Sequence, residues 1–130
     1  MVRPVRYHAR FACDMPLEIH SPAARRWTKP LAHGRVVNIS MGGVGVLTPY
    51  PLEKGVPYEF RFTYADQEMR LTGRVAWEKP RSTKDPLNHG YGIACTLSVK
   101  QEQGMKLVVD RLRTEQWPTP DDRMRNYWNT

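Results

Sequence analysis

The segment Tyr58-Glu-Phe-Arg-Phe-Thr-Tyr64 alternates aromatic with polar side chains, and Met69-Arg-Leu-Thr-Gly-Arg-Val-Ala-Trp77 repeats the alternation soon after it. A period of two puts every second side chain on one face of an extended strand, so each segment predicts a half-buried β-strand. The connection at Asp66-Gln67 predicts a tight hairpin turn between the two strands. The side chains predicted to face the core are Tyr58, Phe60, Phe62, Tyr64, Met69, Leu71, Val75 and Trp77.

Four further segments carry a strand signature. Residues 11–19 and 91–97 alternate apolar with polar side chains, while 35–39 and 44–48 predict two shorter strands joined by a turn at 40–43. A longer polar loop is predicted at 79–90. Six short strands with turn residues between them favour an antiparallel β-barrel, because closure of the sheet removes exposed strand edges.

A helix is predicted after the last strand. Ser98-Val99-Lys100-Gln101 matches a capping box, and the apolar side chains that follow recur at helical spacing at Met105, Val108, Val109 and Leu112. This apolar stripe is expected to cover one end of the barrel. The predicted fold is therefore mainly β, a six-stranded antiparallel β-barrel with a C-terminal α-helix.

The overall composition limits the class of protein. A chain of 130 residues with 40% hydrophobic side chains predicts one globular domain, and no apolar run reaches the roughly 20 residues of a membrane span. The first residues lack the apolar segment of a signal peptide, which predicts a cytoplasmic location. The net charge of +7 favours an anionic partner without distinguishing nucleic acid, nucleotide and lipid.

The sequence offers no recognisable catalytic machinery. The four histidines are not spaced to gather a metal ion, and no lysine of a P-loop follows Gly42-Gly43. Ser40 lacks the strand, sharp turn and helix that surround a hydrolase nucleophile. We therefore predict a protein that is not an enzyme and holds neither a metal nor another cofactor.

Two short motifs carry groups suited to binding a nucleotide. Arg6 and Arg10 lie four residues apart ahead of the first strand, and an arginine fork can meet guanine, stack on a base or hold a phosphate. Arg70 and Arg74 share this spacing, but they fall on the polar face of a predicted strand and are interpreted as solvated charge.

The second motif is Asn38-Ile39-Ser40-Met41-Gly42-Gly43. Asn38 and Ser40 have the same parity, so both leave one face of the sheet. The two glycines permit positive φ angles and a close approach of the backbone. Asn, Ser and Gly are also common in an ordinary β-turn, and the arginine pair upstream is what favours binding.

In this order, the two motifs and the segments around Gly45, Gly73 and Gly92 resemble the PilZ family of cyclic di-GMP receptors, from about Arg3 to Thr114. The resemblance implies a six-stranded barrel with a C-terminal helix. It also implies that cyclic di-GMP is held by Arg6, Arg10, Asn38, Ser40 and Gly43. Further candidates are Arg3, Gly42 and Arg35, and a surface role for Arg35 is an equal alternative. Many members carry Asp where this chain has Asn38, which keeps an acceptor but removes a charge.

The expected organisation is a flexible N-terminal arm at 1–10, a PilZ-like barrel and helix at 11–114, and a C-terminal tail at 115–130. The expected function is a cyclic di-GMP effector that changes conformation and signals to an unidentified downstream protein in motility, pili or exopolysaccharide control. One alternative is a PilZ-like adaptor that binds protein but no nucleotide, and another is a small β-barrel that binds RNA or single-stranded DNA. The sequence leaves open the ligand stoichiometry, the oligomeric state and the role of Trp117, Tyr127 and Trp128 in the tail.

Overall fold

A computed structural model describes residues 9–22, 25 and 27–116 of the chain. Six antiparallel strands close into a barrel in the order β1-β2-β3-β6-β5-β4, followed by one helix, as the sequence predicts. Arg3, Arg6 and the aromatic residues of the tail lie outside the described residues. The elements are β1 (Phe11–His20), β2 (Ala32–Ser40), β3 (Gly43–Thr48), β4 (Tyr58–Tyr64), β5 (Gln67–Lys79), β6 (His89–Thr96) and α1 (Val99–Gln116).

The core fills the inside of the barrel with the alternate side chains of its strands. Tyr58, Phe60 and Phe62 of β4 are buried, as their period of two predicts, and Tyr64 is half-buried. Burial of large aromatic and branched side chains is the main favourable term in the folding of such a domain. The other buried side chains on the strands include Phe11, Leu17, Ile19, Val36, Ile39, Val46, Leu71 and Ile93.

The hairpin between β4 and β5 turns at Ala65 and Asp66, so the turn predicted at Asp66-Gln67 is wrong by one residue. Both turn residues have left-handed backbone angles, with φ of 49° and 65°. Two successive positive φ angles match the right-handed twist of the strands in a two-residue hairpin. Gln67 is therefore free to pair with Tyr64 as the first residue of β5.

Helix α1 begins with the predicted capping box. The Ser98 hydroxyl accepts from the Gln101 backbone N–H at 3.1 Å, and the Gln101 side chain accepts from the Ser98 N–H at 2.9 Å. These two bonds satisfy backbone donors that the first turn of a helix leaves unpaired. The predicted stripe of Met105, Val108, Val109 and Leu112 is buried, and it covers one end of the barrel.

The last turn of α1 lies beside the beginning of β1. The Gln116 side-chain amide donates to the Ala12 carbonyl oxygen at 2.6 Å. One turn earlier, the Arg113 guanidinium carbon lies 5.7 Å from the centroid of the Phe11 ring. The helix thus ends against the point where the barrel begins.

We expect Ser98→Ala to lower the free energy of unfolding by about 1 kcal/mol, because it removes the acceptor that caps α1. Chemical denaturation followed by circular dichroism measures this loss. Val99→Ala is the matched control, since Val99 is 74% exposed at the first position of the same helix. Equal destabilisation by the two substitutions would contradict the capping role.

The barrel has two distinct ends. The loops β1–β2, β3–β4 and β5–β6 leave one end, here called the far end, while the turns β2–β3 and β4–β5 lie at the end covered by α1. Across the described ranges, no helix has the length and apolar character needed to cross a bilayer.

Candidate ligand site on the barrel wall

Two β-bulges flank a pair of glycines on the outer wall of the barrel. Gly45 of β3 pairs with Gly92 of β6. Asn38 of β2 pairs with Gly45 beside a register shift after Val36, and Trp77 of β5 pairs with Gly92 beside a register shift after Val75. Asn38, Gly45, Gly92 and Trp77 therefore form one row across four neighbouring strands, the glycine row.

The larger side chains of the glycine row lie directly over its glycines. A Cβ atom on Gly45 would come within 2.3 Å of Asn38 Nδ2, and one on Gly92 within 2.1 Å of Trp77 Cε2. Real Cβ atoms essentially never make contacts this short. The absence of a side chain at these two positions is what allows the Asn38 amide and the Trp77 indole to rest against the wall.

Trp77 points outward, so its predicted place in the core is wrong. Val75 is buried, whereas Trp77 is 40% exposed. The bulge adds Ala76 to β5 as an unpaired residue, and one extra residue reverses the face on which the following side chains emerge. Alternation of apolar residues cannot reveal such a bulge. The signal that was available is the glycine between Tyr91 and Ile93, which leaves room for a large neighbour.

Arg10 joins the glycine row from the residue before β1. Its guanidinium carbon lies 5.7 Å from the centroid of the Trp77 ring. This distance is within the range of cation–π attraction between an arginine and an indole. The structure thus brings the predicted residue Arg10 to a tryptophan that alternation alone predicts to be in the core.

Ser40 lies on the same outer wall and also shapes the β2–β3 turn. Its hydroxyl oxygen accepts from the Gly42 N–H at 3.3 Å and lies 3.5 Å from the Gly43 carbonyl oxygen. The Gly42 carbonyl in turn accepts from the Cys95 N–H at 3.2 Å, which ties the turn to β6. The turn itself is Met41-Gly42 and is shorter than the predicted 40–43, because Ser40 ends β2 and Gly43 begins β3. Ser40 shares one face with Asn38, as their common parity predicts.

Gly43 is required for close approach and not for an unusual backbone angle. A Cβ atom at this position would lie 1.9 Å from the Ile93 carbonyl oxygen of β6. The φ angle of Gly43 is outside the left-handed region, so of the two properties that glycine permits only the close approach is used there. The regular pairing of Ser40 with Gly43 and of Gly43 with Ala94 explains this, because extended strands do not need positive φ.

Arg35 stands apart from the glycine row. It pairs across strands with Pro16 and Leu47, nearer the far end than Asn38. Its Nε–H donates to the Asp14 carboxylate, and the two side chains form an exposed ion pair. This contact gives Arg35 a partner on β1.

A separate concave region of about 410 Å³ opens on the other side of the barrel. Its lining residues include Glu18 and Arg61. The nearly buried Glu59 carboxylate accepts from Arg61 at 2.5 Å and from Arg70 at 3.3 Å. Arg70 lies on the polar face of β5 as predicted and its side chain is 40% exposed, but it is paired with Glu59 and is not simply a solvated charge. None of the described residues that the sequence nominated for binding lines this region.

The described residues include no metal-binding cluster, and their two thiols are weakly nucleophilic. They contain no group of three or more His, Cys, Asp or Glu side chains placed to hold a metal ion. Cys13 and Cys95 are free thiols, and burial raises the pKa of Cys13 to about 11 and that of Cys95 to about 12. Thiols with such pKa values remain protonated, and hence weakly nucleophilic, near neutral pH.

The fold and the motifs agree with a family model. The model of the PilZ domain matches residues 4–113, and the chain belongs to the PilZ domain family. No curated protein matches the chain.

Solved structures show the same fold. The PilZ domain of YcgR from Escherichia coli, with c-di-GMP, is 15% identical with a TM-score of 0.65, covering 91% of this chain and 98% of that one. The PilZ domain of CeSA from a cellulose-synthesizing bacterium is 19% identical with a TM-score of 0.55, covering 80% and 97% of the two chains.

Proposed function

We propose that this protein is a cyclic di-GMP receptor and that the ligand binds over the glycine row. The observation that carries the proposal is the placement of Arg10 over Trp77 on an outer wall that also presents Asn38. Membership of the PilZ family and the likeness to a YcgR domain solved with c-di-GMP support the choice of ligand.

Each group of the glycine row matches one feature of a guanine nucleotide. The Trp77 indole offers a partly exposed ring on which a planar base can stack. The Arg10 guanidinium already lies over that ring, so it can close on the second face of the base or move to a phosphate. The Asn38 amide oxygen can accept from the N–H groups of the guanine edge.

The proposed site also includes the other ligand residues that the sequence predicts. Ser40 and Gly43 provide a hydroxyl and a close backbone beside the glycine row, and Arg6, with Arg3, would add positive charge from the N-terminal segment. Binding of this kind needs no catalytic group. The protein would act as an effector whose N-terminal segment becomes ordered on the ligand and presents a changed surface to a downstream protein in the cytoplasm.

Isothermal titration calorimetry tests the proposed function directly. We expect cyclic di-GMP to bind in preference to GTP, cyclic di-AMP and a short RNA, because only the first combines two guanines with two fixed phosphates. Absence of heat with cyclic di-GMP at hundred-micromolar concentrations would favour a protein adaptor without nucleotide. Tighter binding of the RNA would instead favour the nucleic-acid alternative.

A further inference from the structure

A second row of residues runs beside the glycine row, one outward position closer to the end covered by α1. Ser40 pairs with Gly43, Gly43 with Ala94 and Ala94 with Arg74. This set, the serine row, crosses the same four strands in the same order. Arg74 is exposed and follows the buried Gly73, so it projects from the outer wall on the same strand as Trp77.

Together the two rows form a shallow floor with raised borders. In the glycine row the Asn38 and Trp77 side chains lie over Gly45 and Gly92, whereas Gly43 and Ala94 at the centre of the serine row carry nothing larger than a methyl group. The borders are polar or aromatic, with Asn38 and Ser40 on β2 and Trp77 and Arg74 on β5. Strand spacing places the two borders about 14 Å apart along the wall, and the two rows about 7 Å apart along each strand.

The charge of this floor favours an anion. None of the eight residues of the two rows is acidic. Asn38 is uncharged, whereas an aspartate at the same position would repel a phosphate. Arg74 provides positive charge at one corner, and Arg10 provides it beside Trp77. Because Arg74 and Trp77 are about 7 Å apart on one face, a single nucleotide can reach both, with its base on the indole and its phosphate at the guanidinium.

We infer that Arg74 is a further ligand-binding residue of this protein and that it contacts a phosphate of the cyclic dinucleotide whose guanine stacks on Trp77. This inference rests on the proposed function of the site. It replaces the interpretation of Arg74 as solvated charge. Gly43 and Ala94, which lie between Ser40 and Arg74, leave this part of the wall open to the ligand.

Titration of Arg74→Ala with cyclic di-GMP tests the inference. We expect the dissociation constant to rise about tenfold, as for the loss of one charge-assisted contact, and Arg74→Lys to retain part of the affinity. Affinity should also depend less steeply on salt in Arg74→Ala than in the wild type, because one ionic contact is missing. Lys54→Ala is the matched control, since Lys54 is an exposed cation in a far-end loop.

The outcomes separate the inference from the function on which it rests. If the wild type binds cyclic di-GMP and Arg74→Ala binds equally well, Arg74 is not a ligand-binding residue and the receptor function stands. Equal weakening in Arg74→Ala and Lys54→Ala would mean that only the overall charge matters, which also overturns the inference. If the wild type binds no cyclic di-GMP, the proposed function fails and the assignment of Arg74 fails with it.

Discussion

Replacement of Arg10 by alanine is expected to weaken cyclic di-GMP binding by about 30-fold, which corresponds to roughly 2 kcal/mol. Arg10 is the cation that lies over Trp77, so its loss removes both a charge-assisted contact and one side of the base-stacking site. Arg10 precedes β1 and is not part of the hydrophobic core, and thermal unfolding should therefore change little.

The comparison that decides this prediction uses three further variants. Lys54→Ala removes a positive charge at the far end, and Arg10→Lys keeps the charge but loses the planar guanidinium. We expect wild-type affinity in the first and an intermediate loss in the second. From the sequence, Arg6→Ala should resemble Arg10→Ala. If Lys54→Ala weakens binding as much as Arg10→Ala, binding reflects diffuse attraction to a basic protein.

Substitution of Gly92 by alanine is expected to weaken cyclic di-GMP binding at least tenfold, although it only adds a methyl group. The added carbon would lie 2.1 Å from Cε2 and 2.2 Å from Nε1 of Trp77, so the indole must leave its position over β6. A displaced indole loses both its stacking surface for the base and its contact with Arg10. The affinity follows from calorimetry, and the shift of the Trp77 indole N–H signal in NMR spectra reports the displacement without ligand.

Gly90→Ala is the matched control for this substitution. Gly90 lies on the same strand and the same face, but the nearest atom to its added carbon is Lys79 Cβ at 3.2 Å, so a shift of a few tenths of an ångström makes room for the methyl group. We expect it to leave affinity nearly unchanged. A double-mutant cycle with Trp77→Ala then isolates the mechanism. Once Trp77 is absent, Gly92→Ala should have little further effect, and fully additive losses would contradict the positioning role of Gly92.

The sequence predicted the elements of this fold because each has a local physical signature. Alternation identified β4 through Tyr58, Phe60 and Phe62, and the capping box located the start of α1 at Ser98. These signals depend on residues close together in the chain. A closed barrel was predicted from the six short strands because closure leaves no strand edge exposed.

The missing parts of the site depend on contacts between distant residues. The outward position of Trp77 results from a bulge against Gly92, and the ion pair of Arg35 results from its pairing with β1. Neither partner can be deduced from the neighbouring sequence. Motif spacing located Arg10, Asn38 and Ser40 on the chain, but only the register of four strands shows which side chains surround them.

The contact of Gln116 with Ala12 has a practical consequence for fluorescent reporters. The chain enters the described fold just before Arg10 and leaves it just after Gln116, and these two points lie at one corner of the barrel. Donor and acceptor dyes attached at these two ends of the described fold would therefore start as neighbours. Their energy transfer would fall if ligand binding moved the two points apart, and it would register such a rearrangement next to Arg10 without any label on the barrel strands.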